Sequence, residues 1–140
     1  MAANRLGPDK VRRPAKKVYF DSSFLIAVME EPTPWQDDIL EKVGRFEPVV
    51  IEPVYAELKR LAGGRARQSR FASLAVMLVD EGKILLERSG GRRADEELVS
   101  SALRDGATVA TIDRDLIRQL RASHVEVLSL RGGRVEVRQN

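Results

Sequence analysis

The sequence predicts an α/β fold of three layers, in which helices cover both faces of a central, mostly parallel β-sheet. Short runs of β-branched and aliphatic residues alternate with helical patterns along the chain. Strands and helices that alternate in this way form parallel sheets with both faces covered. The length of 140 residues suits one domain of this kind. No internal repeat or low-complexity segment divides the chain.

The predicted strands are short apolar runs bounded by turn residues, as expected for strands buried on both faces. In chain order they cover residues 16–20, 49–51, 84–86, 108–111, 125–130 and 134–138. The last of them follows a turn at Gly132 and Gly133, and we expect it to lie at an edge of the sheet.

The predicted helices have apolar residues three and four positions apart, which is the spacing of one helical face. In chain order they cover residues 24–29, 35–46, 53–61 and 65–81, followed by one helix that begins at Asp95 and one that begins at Asp113. Pro32 ends the first helix, and Pro53 suits the first turn of the third. Gly82 and Gly106 end the fourth and the fifth.

Charge divides the chain into a basic, flexible N-terminal arm, residues 1–16, and a domain over residues 17–140. Residues 1–17 carry six basic residues and one acid, whereas the rest of the chain carries a net charge of −2. A basic arm can contact the phosphates of a nucleic acid, and it can equally be a solubilising tail. The sequence leaves both interpretations open.

Composition excludes several classes of site and predicts a cytoplasmic protein. The chain has no cysteine, which excludes disulfides, thiolate zinc sites and cysteine nucleophiles and fits a reducing compartment. With one histidine, His124, it cannot build a site from several histidines. It has neither an apolar run long enough to span a bilayer nor a secretory signal, so we expect no contact with a membrane.

Four acids follow predicted strands or lie on the helices next to them. Asp21 and Asp113 come just after the first and the fourth strand, and Asp95 begins the helix that leads into the fourth. Glu57 lies about one turn into the helix after the second strand. In open parallel sheets, ligands bind outside the carboxyl ends of the strands. Oxygen ligands alone favour Mg²⁺ or Mn²⁺, which can support the hydrolysis of a phosphodiester.

A structural role for the same acids is the alternative. Asp21, Asp95 and Asp113 each precede or begin a helix, where aspartate is favoured as a cap. Glu57, taken alone, fits the solvated face of a helix equally well.

Four local sequences resemble the motifs of the PIN domain, in the order of that family. Residues 18–26, VYFDSSFLI, are similar to its first strand, acid and helix. Residues 53–58, PVYAEL, and 94–99, ADEELV, resemble its second and third motifs. Residues 108–116, TVATIDRDL, resemble the fourth. The resemblance spans residues 17 to about 131, and the ending of the chain looks like that of compact archaeal members related to ribosome-processing endonucleases.

The resemblance implies an endoribonuclease that depends on Mg²⁺ or Mn²⁺ and leaves a 5′-phosphate and a 3′-hydroxyl. Asp21, Glu57, Asp95 and Asp113 match the family's acidic quartet, which binds the metal and carries catalysis. Asp115 is a further candidate ligand, with an exposed residue of the first helical turn as its alternative.

Further residues take supporting roles under the same resemblance. Ser23 and Thr111 match hydroxyl positions that orient the carboxylates or contact phosphate. Ile112 departs from the family pattern, because many relatives carry a polar residue such as asparagine there. Candidate contacts to RNA, each of which is also compatible with surface charge or a local ion pair, are Arg92, Arg93, Arg114 and Arg118.

The sequence leaves two biological roles and a second function class open. The nuclease would act in ribosomal RNA processing, with a ribosome-assembly partner, or as a toxin of the VapC kind, with an antitoxin. A homodimer is common in the family. A catalytically inactive domain that binds RNA or serves as a scaffold is the alternative function. Chemistry through a phosphoaspartate is disfavoured, because Ser23 stands where phosphatases of that type need a second aspartate.

Overall fold

The computed structural model describes residues 15–138, so the predicted basic arm lies almost entirely outside the described residues. Six strands are described: β1 (Lys16–Phe20), β2 (Phe46–Ile51), β3 (Leu85–Glu87), β4 (Thr108–Ala110), β5 (Val127–Arg131) and β6 (Arg134–Val137). Six helices are described: α1 (Ser22–Glu30), α2 (Trp35–Val43), α3 (Glu52–Ala62), α4 (Gln68–Asp80), α5 (Ala94–Asp105) and α6 (Arg114–Ala122).

The strands form one sheet in the order β3-β2-β1-β4-β5-β6. All neighbours are parallel except β5 and β6, which are antiparallel. Helices α1, α3 and α4 pack against one another on one face, and α5 and α6 pack together on the other. Phe20, which points to the first face, packs edge-on against Trp35 of α2. The predicted α/β class, the mostly parallel sheet and the three layers are therefore confirmed.

The order of the strands creates one crevice at the carboxyl edge of the sheet. From β1 the chain moves to β2 and then to β3, whereas β4 lies on the other side of β1 and leads to β5. The helices that follow β1 and β4 consequently lie on opposite faces and separate at the strand ends. Such a point of reversal is where open α/β sheets bind their ligands.

Residue Pro48 lies inside β2, although proline cannot donate a hydrogen bond to a neighbouring strand. Its position is tolerated because Pro48 is paired with Val18 of β1, whereas the pairing of β2 with β3 begins only at Val49. At Pro48, β2 is therefore still an edge strand on the β3 side.

The predicted helix over residues 35–46 was wrong at its end. Helix α2 stops at Val43, and Phe46 begins β2. Gly44 ends the helix with a φ of +83°, a conformation that only glycine adopts without strain. The other predicted elements are present with boundaries that differ by a few residues. Among the described helices, none has both the length and the apolar character to cross a bilayer.

Candidate active site

Asp21 is the most firmly held acid at the carboxyl edge of the sheet. Its backbone N–H donates to Ala110 O at 2.9 Å, and its side chain is buried. Oδ2 accepts hydrogen bonds from Ser23 Oγ at 2.6 Å and from Thr111 Oγ1 at 2.8 Å. The side chain caps no N–H of α1, so the capping alternative is wrong for Asp21. Asp21 is therefore a buried carboxylate that two hydroxyls hold in a fixed orientation at the carboxyl ends of β1 and β4.

The same hydroxyls tie the loop after β4 to helix α1. Thr111 Oγ1 lies 3.2 Å from Ser23 Oγ and accepts from the backbone N–H of Asp113 at 3.0 Å. Ser23 Oγ accepts from the backbone N–H of Ile112 at 3.2 Å. The two hydroxyls therefore position Asp21 and the backbone that carries Asp113 as one unit.

Asp113 lies at this edge and does cap its helix. Its Oδ1 accepts from the backbone N–H groups of Asp115 and Leu116 at 2.9 and 3.1 Å. The residue is exposed, and only one of its two carboxylate oxygens takes part in the cap. Capping and a role in the site are thus compatible for Asp113.

Glu57 faces the start of α1 across the site. Its Oε1 accepts from Ser22 Oγ at 3.1 Å. Ser22 is buried, and the sequence analysis missed it, although two serines directly after a strand-end acid were the available signal. Ser22 and Ser23 are consecutive in a helix and therefore point in different directions, so each orients a different acid.

Asp95 lies within electrostatic reach of the other three acids. Burial, together with the negative charges of Asp21, Asp113 and Glu57, raises the pKa of Asp95, and Arg93 opposes the shift. Asp95 is the second residue of α5, which begins at Ala94, and no side chain caps this helix. The capping alternative is therefore wrong for Asp95 as well.

The donor set fits a hard divalent cation in its chemistry, since it offers carboxylate and hydroxyl oxygens and neither sulfur nor imidazole. A carboxylate whose pKa is raised by burial and by neighbouring acids, as for Asp95, is a group that a cation stabilises. Between residues 15 and 138, however, no three acidic or histidine side chains are grouped closely enough to hold a metal ion. Asp95, Glu57 and Asp113 are partly or fully exposed, so their side chains have room to change rotamer. Such a change would break the hydrogen bond from Ser22 to Glu57 or the capping bonds to Asp113.

The remaining candidate residues lie around this rim in different environments. Asp115 is exposed and forms an ion pair with Arg118 one turn later in α6. Each of these residues is therefore already paired locally. Arg92 Nε lies 3.6 Å from Oε1 of the buried Glu97. Arg93 is exposed and lies close enough to Asp95 to lower its pKa. Arg114, which directly follows Asp113, is also exposed.

Comparison with known proteins identified similarity in sequence and in fold. A family model described as "PIN like domain" matches residues 18–133. The structure of the PIN domain endonuclease Utp24 has a TM-score of 0.74 at 19% identity, covering 89% of this chain and 92% of that one. A domain of a functionally unknown protein from Methanocaldococcus jannaschii DSM 2661 has a TM-score of 0.56 at 20% identity, covering 90% and 99%. A search of the curated proteins found no match.

Proposed function

This chain belongs to the PIN-like domain family, and we propose that it is a metal-dependent endoribonuclease. PIN domains are generally nucleases that use divalent metal ions. The observation that supports the proposal is that acids from three other segments lie within electrostatic reach of Asp95. They are Asp21, Glu57 and Asp113, and the order of the strands reverses at this edge of the sheet.

The hydroxyls and acids have distinct tasks in this proposal. Ser23 and Thr111 keep one oxygen of Asp21 occupied, and among the described residues its Oδ1 accepts no hydrogen bond. Oδ1 is therefore available to a ligand in the crevice, and Asp95, Glu57 and Asp113 complete the oxygen donor set. A bound Mg²⁺ or Mn²⁺ would supply an activated water and stabilise the leaving oxygen of the phosphodiester.

Arginines balance the negative charge of the rim in the proposed complex with RNA. Four acids repel a polyanion, so the approach of a phosphate needs positive charge nearby. Arg93 already offsets the charge at Asp95, and Arg114 is exposed beside Asp113. Arg92 and Arg118 would have to leave their acidic partners to contact phosphate, so we expect Arg93 and Arg114 to contribute more.

The test is cleavage of RNA by the purified chain with Mg²⁺, with Mn²⁺ and with a chelator. We expect cleavage only with a divalent ion and products with a 5′-phosphate. Asp21→Asn should reduce the rate at least about a hundredfold, since loss of metal-assisted stabilisation amounts to several kcal/mol. Asp37→Asn, which changes an exposed acid of α2, is the matched control and should cleave normally.

Two results would overturn the nuclease proposal. One is the absence of cleavage with either ion, and the other is equal cleavage by the wild type and Asp21→Asn. RNA binding that persists in the chelator without any cleavage would instead support the alternative, a domain that binds RNA as a scaffold.

The proposal includes two cellular roles in the cytoplasm. In ribosomal RNA maturation, the chain would cut a ribosomal precursor and bind an assembly partner. As a toxin, it would arrest growth when expressed alone and would be silenced by an antitoxin. Cleavage of precursor RNA and growth after induction distinguish the two. Sedimentation at increasing concentration tests the proposed homodimer.

A further inference from the structure

A groove of about 310 Å³ runs beside the acidic rim, between α1 and the helices α3 and α4. Its apolar lining includes Ile26, Leu61 and Ile112. Its polar lining, from the same helices and the start of α4, includes Glu30, Glu57 and Gln68. Because Glu57 belongs to both the groove and the acidic rim, a molecule in the groove would adjoin a phosphodiester at the rim.

Ile112 exposes 40% of its surface although it lies between the polar residues Thr111 and Asp113 beside the acidic rim. Its backbone N–H is held by Ser23 Oγ at 3.2 Å, so its side chain is presented from a fixed position. The acids do not need an apolar residue there. An exposed apolar side chain next to the rim becomes favourable when a flat, apolar group of a ligand packs against it.

The size of the groove and its mixture of apolar and polar lining residues match one nucleotide. Small-molecule sites have volumes of about 300–1,000 Å³, and the groove is at the lower end of that range. A nucleobase has apolar faces and a polar edge, and proteins recognise unpaired bases by contacts to both. A folded partner or a duplex would not enter a groove of this volume.

The polar lining favours one kind of base edge. Glu30 lines the groove, and its Oε2 forms an ion pair with the exposed Arg67 at 3.1 Å. An ionised carboxylate only accepts hydrogen bonds, so it pairs with the amino groups of cytosine, adenine or guanine. Uracil presents two carbonyl oxygens on either side of a single N–H. Its carbonyl oxygens would be repelled by the carboxylate oxygens of Glu30.

We propose that this groove binds the base next to the scissile phosphate and that Glu30 makes it prefer a base with an exocyclic amino group over uracil. This inference rests on the proposed nuclease function, because the phosphate position is taken from it. Ile112 packs against the face of the base, and Gln68, at the start of α4, lies where it can contact the edge.

Binding of CMP and UMP to the metal-free protein, followed by amide NMR, tests the groove without cleavage. The two nucleotides have equal size and charge and differ at the polar edge of the base. We expect CMP to shift the amide signals of Ile112 and Gln68 and to bind about tenfold more tightly than UMP. Shifts confined to other residues, or equal affinity for CMP and UMP, would overturn the proposal.

Variants separate the contributions of the apolar and the polar lining residues. Glu30→Gln introduces a donor, so the preference for CMP over UMP should fall to about equal affinity. Ile112→Ala should weaken both nucleotides to a similar degree, because both bases present the same apolar face. Leu40→Ala, an equally conservative truncation of an exposed residue on α2, should change neither affinity. A preference that survives in Glu30→Gln would contradict the role of Glu30.

Cleavage of an RNA pool of random sequence then connects the groove to the nuclease. We expect wild-type cut sites to be poor in uracil at one position next to the cut, and Glu30→Gln to lose this bias. Selective CMP binding without any cleavage would refute the nuclease proposal and leave the base site standing. Cleavage with cut sites that are independent of sequence in both proteins would refute the base site alone.

Discussion

Two groups of acids in this molecule are built in opposite ways. At the carboxyl edge of the sheet, Asp21 is held by two neutral hydroxyls, and Asp95 lies near three other acids and Arg93. On the α5 face, Glu87 and Asp105 are paired with cations. The pKa of Asp95 is raised, whereas a hydrogen bond from Arg104 and another from Tyr19 hold the pKa of Asp105 well below its usual range.

The paired group contains its own complete set of partners. Tyr19, fully buried in β1, has its hydroxyl oxygen 2.9 Å from Glu87 Oε2 and 2.5 Å from Asp105 Oδ2, so its one proton is shared between two carboxylates. Lys17 Nζ lies 2.9 Å from Glu87 and 3.2 Å from Asp105, and Arg104 contacts both acids. Satisfied charges stabilise a fold, whereas unsatisfied like charges at a crevice are typical of sites that bind something. The two groups therefore differ in their neighbours: cations pair with Glu87 and Asp105, whereas other acids lie near the partly buried Asp95.

The same substitution in each group should have opposite consequences. Asp21→Asn should abolish cleavage and leave the free energy of unfolding unchanged or higher, since it removes repulsion at the rim. Asp105→Asn should lower that free energy by about 2 kcal/mol, because it leaves cations with one partner fewer. Cleavage per folded molecule should stay normal in Asp105→Asn. Urea unfolding and a cleavage assay on both variants measure these opposite effects. A loss of stability in both variants would contradict the prediction.

Removing one hydroxyl tests the paired group more selectively. Tyr19→Phe deletes the donor that lies between two carboxylates and retains the buried ring. We expect a loss of about 1.5–3 kcal/mol in the free energy of unfolding, the range for hydrogen bonds to charged groups. Tyr55→Phe is the matched control, because its hydroxyl bonds Asp80 near the surface. If Tyr55→Phe lowers the free energy of unfolding as much as Tyr19→Phe does, the buried network contributes no more than a surface hydrogen bond.

Asp113 combines both roles, and two substitutions separate them. Asp113→Ala removes the cap of α6 and should cost about 1 kcal/mol of stability. Asp113→Asn can still accept the two backbone hydrogen bonds and should retain most of that stability. Both variants should lose cleavage in the proposed nuclease. Thermal unfolding of the pair provides the measurement, and equal melting temperatures would show that the cap contributes nothing.

The smallest effect is expected from the charge of Asp95. Because its pKa is raised on folding, its ionised form disfavours the folded state above the unfolded pKa and has no effect well below it. Asp95→Asn should therefore be more stable than Glu96→Gln at pH 7, by less than about 1 kcal/mol. Glu96 shares the first turn of α5, so it controls for the helix dipole. The difference should vanish near pH 3, and a difference that grows on acidification would reverse the assigned sign.

The candidate site could be predicted as a set of residues but not as an arrangement. Local sequence indicated Asp21, Glu57, Asp95 and Asp113, because each stands at a recognisable junction of strand and helix. It could not tell that only Asp113 uses its side chain as a cap, since capping depends on a rotamer. Ser22 was missed for the same reason. The groove lined by Ile112 was also beyond prediction, because its walls come from α1, α3 and α4, which meet only in the folded chain.

Much of the fold followed from the sequence alone. The alternation of apolar runs with amphipathic segments determined the α/β class, because periodicity and turn residues act within a few positions of the chain. Tertiary structure alone decided the strand order, the tolerance of Pro48 at a local edge, and which acids received cations as neighbours. These properties depend on contacts between residues that are distant in sequence, so they are settled by packing and long-range charge rather than by local preference.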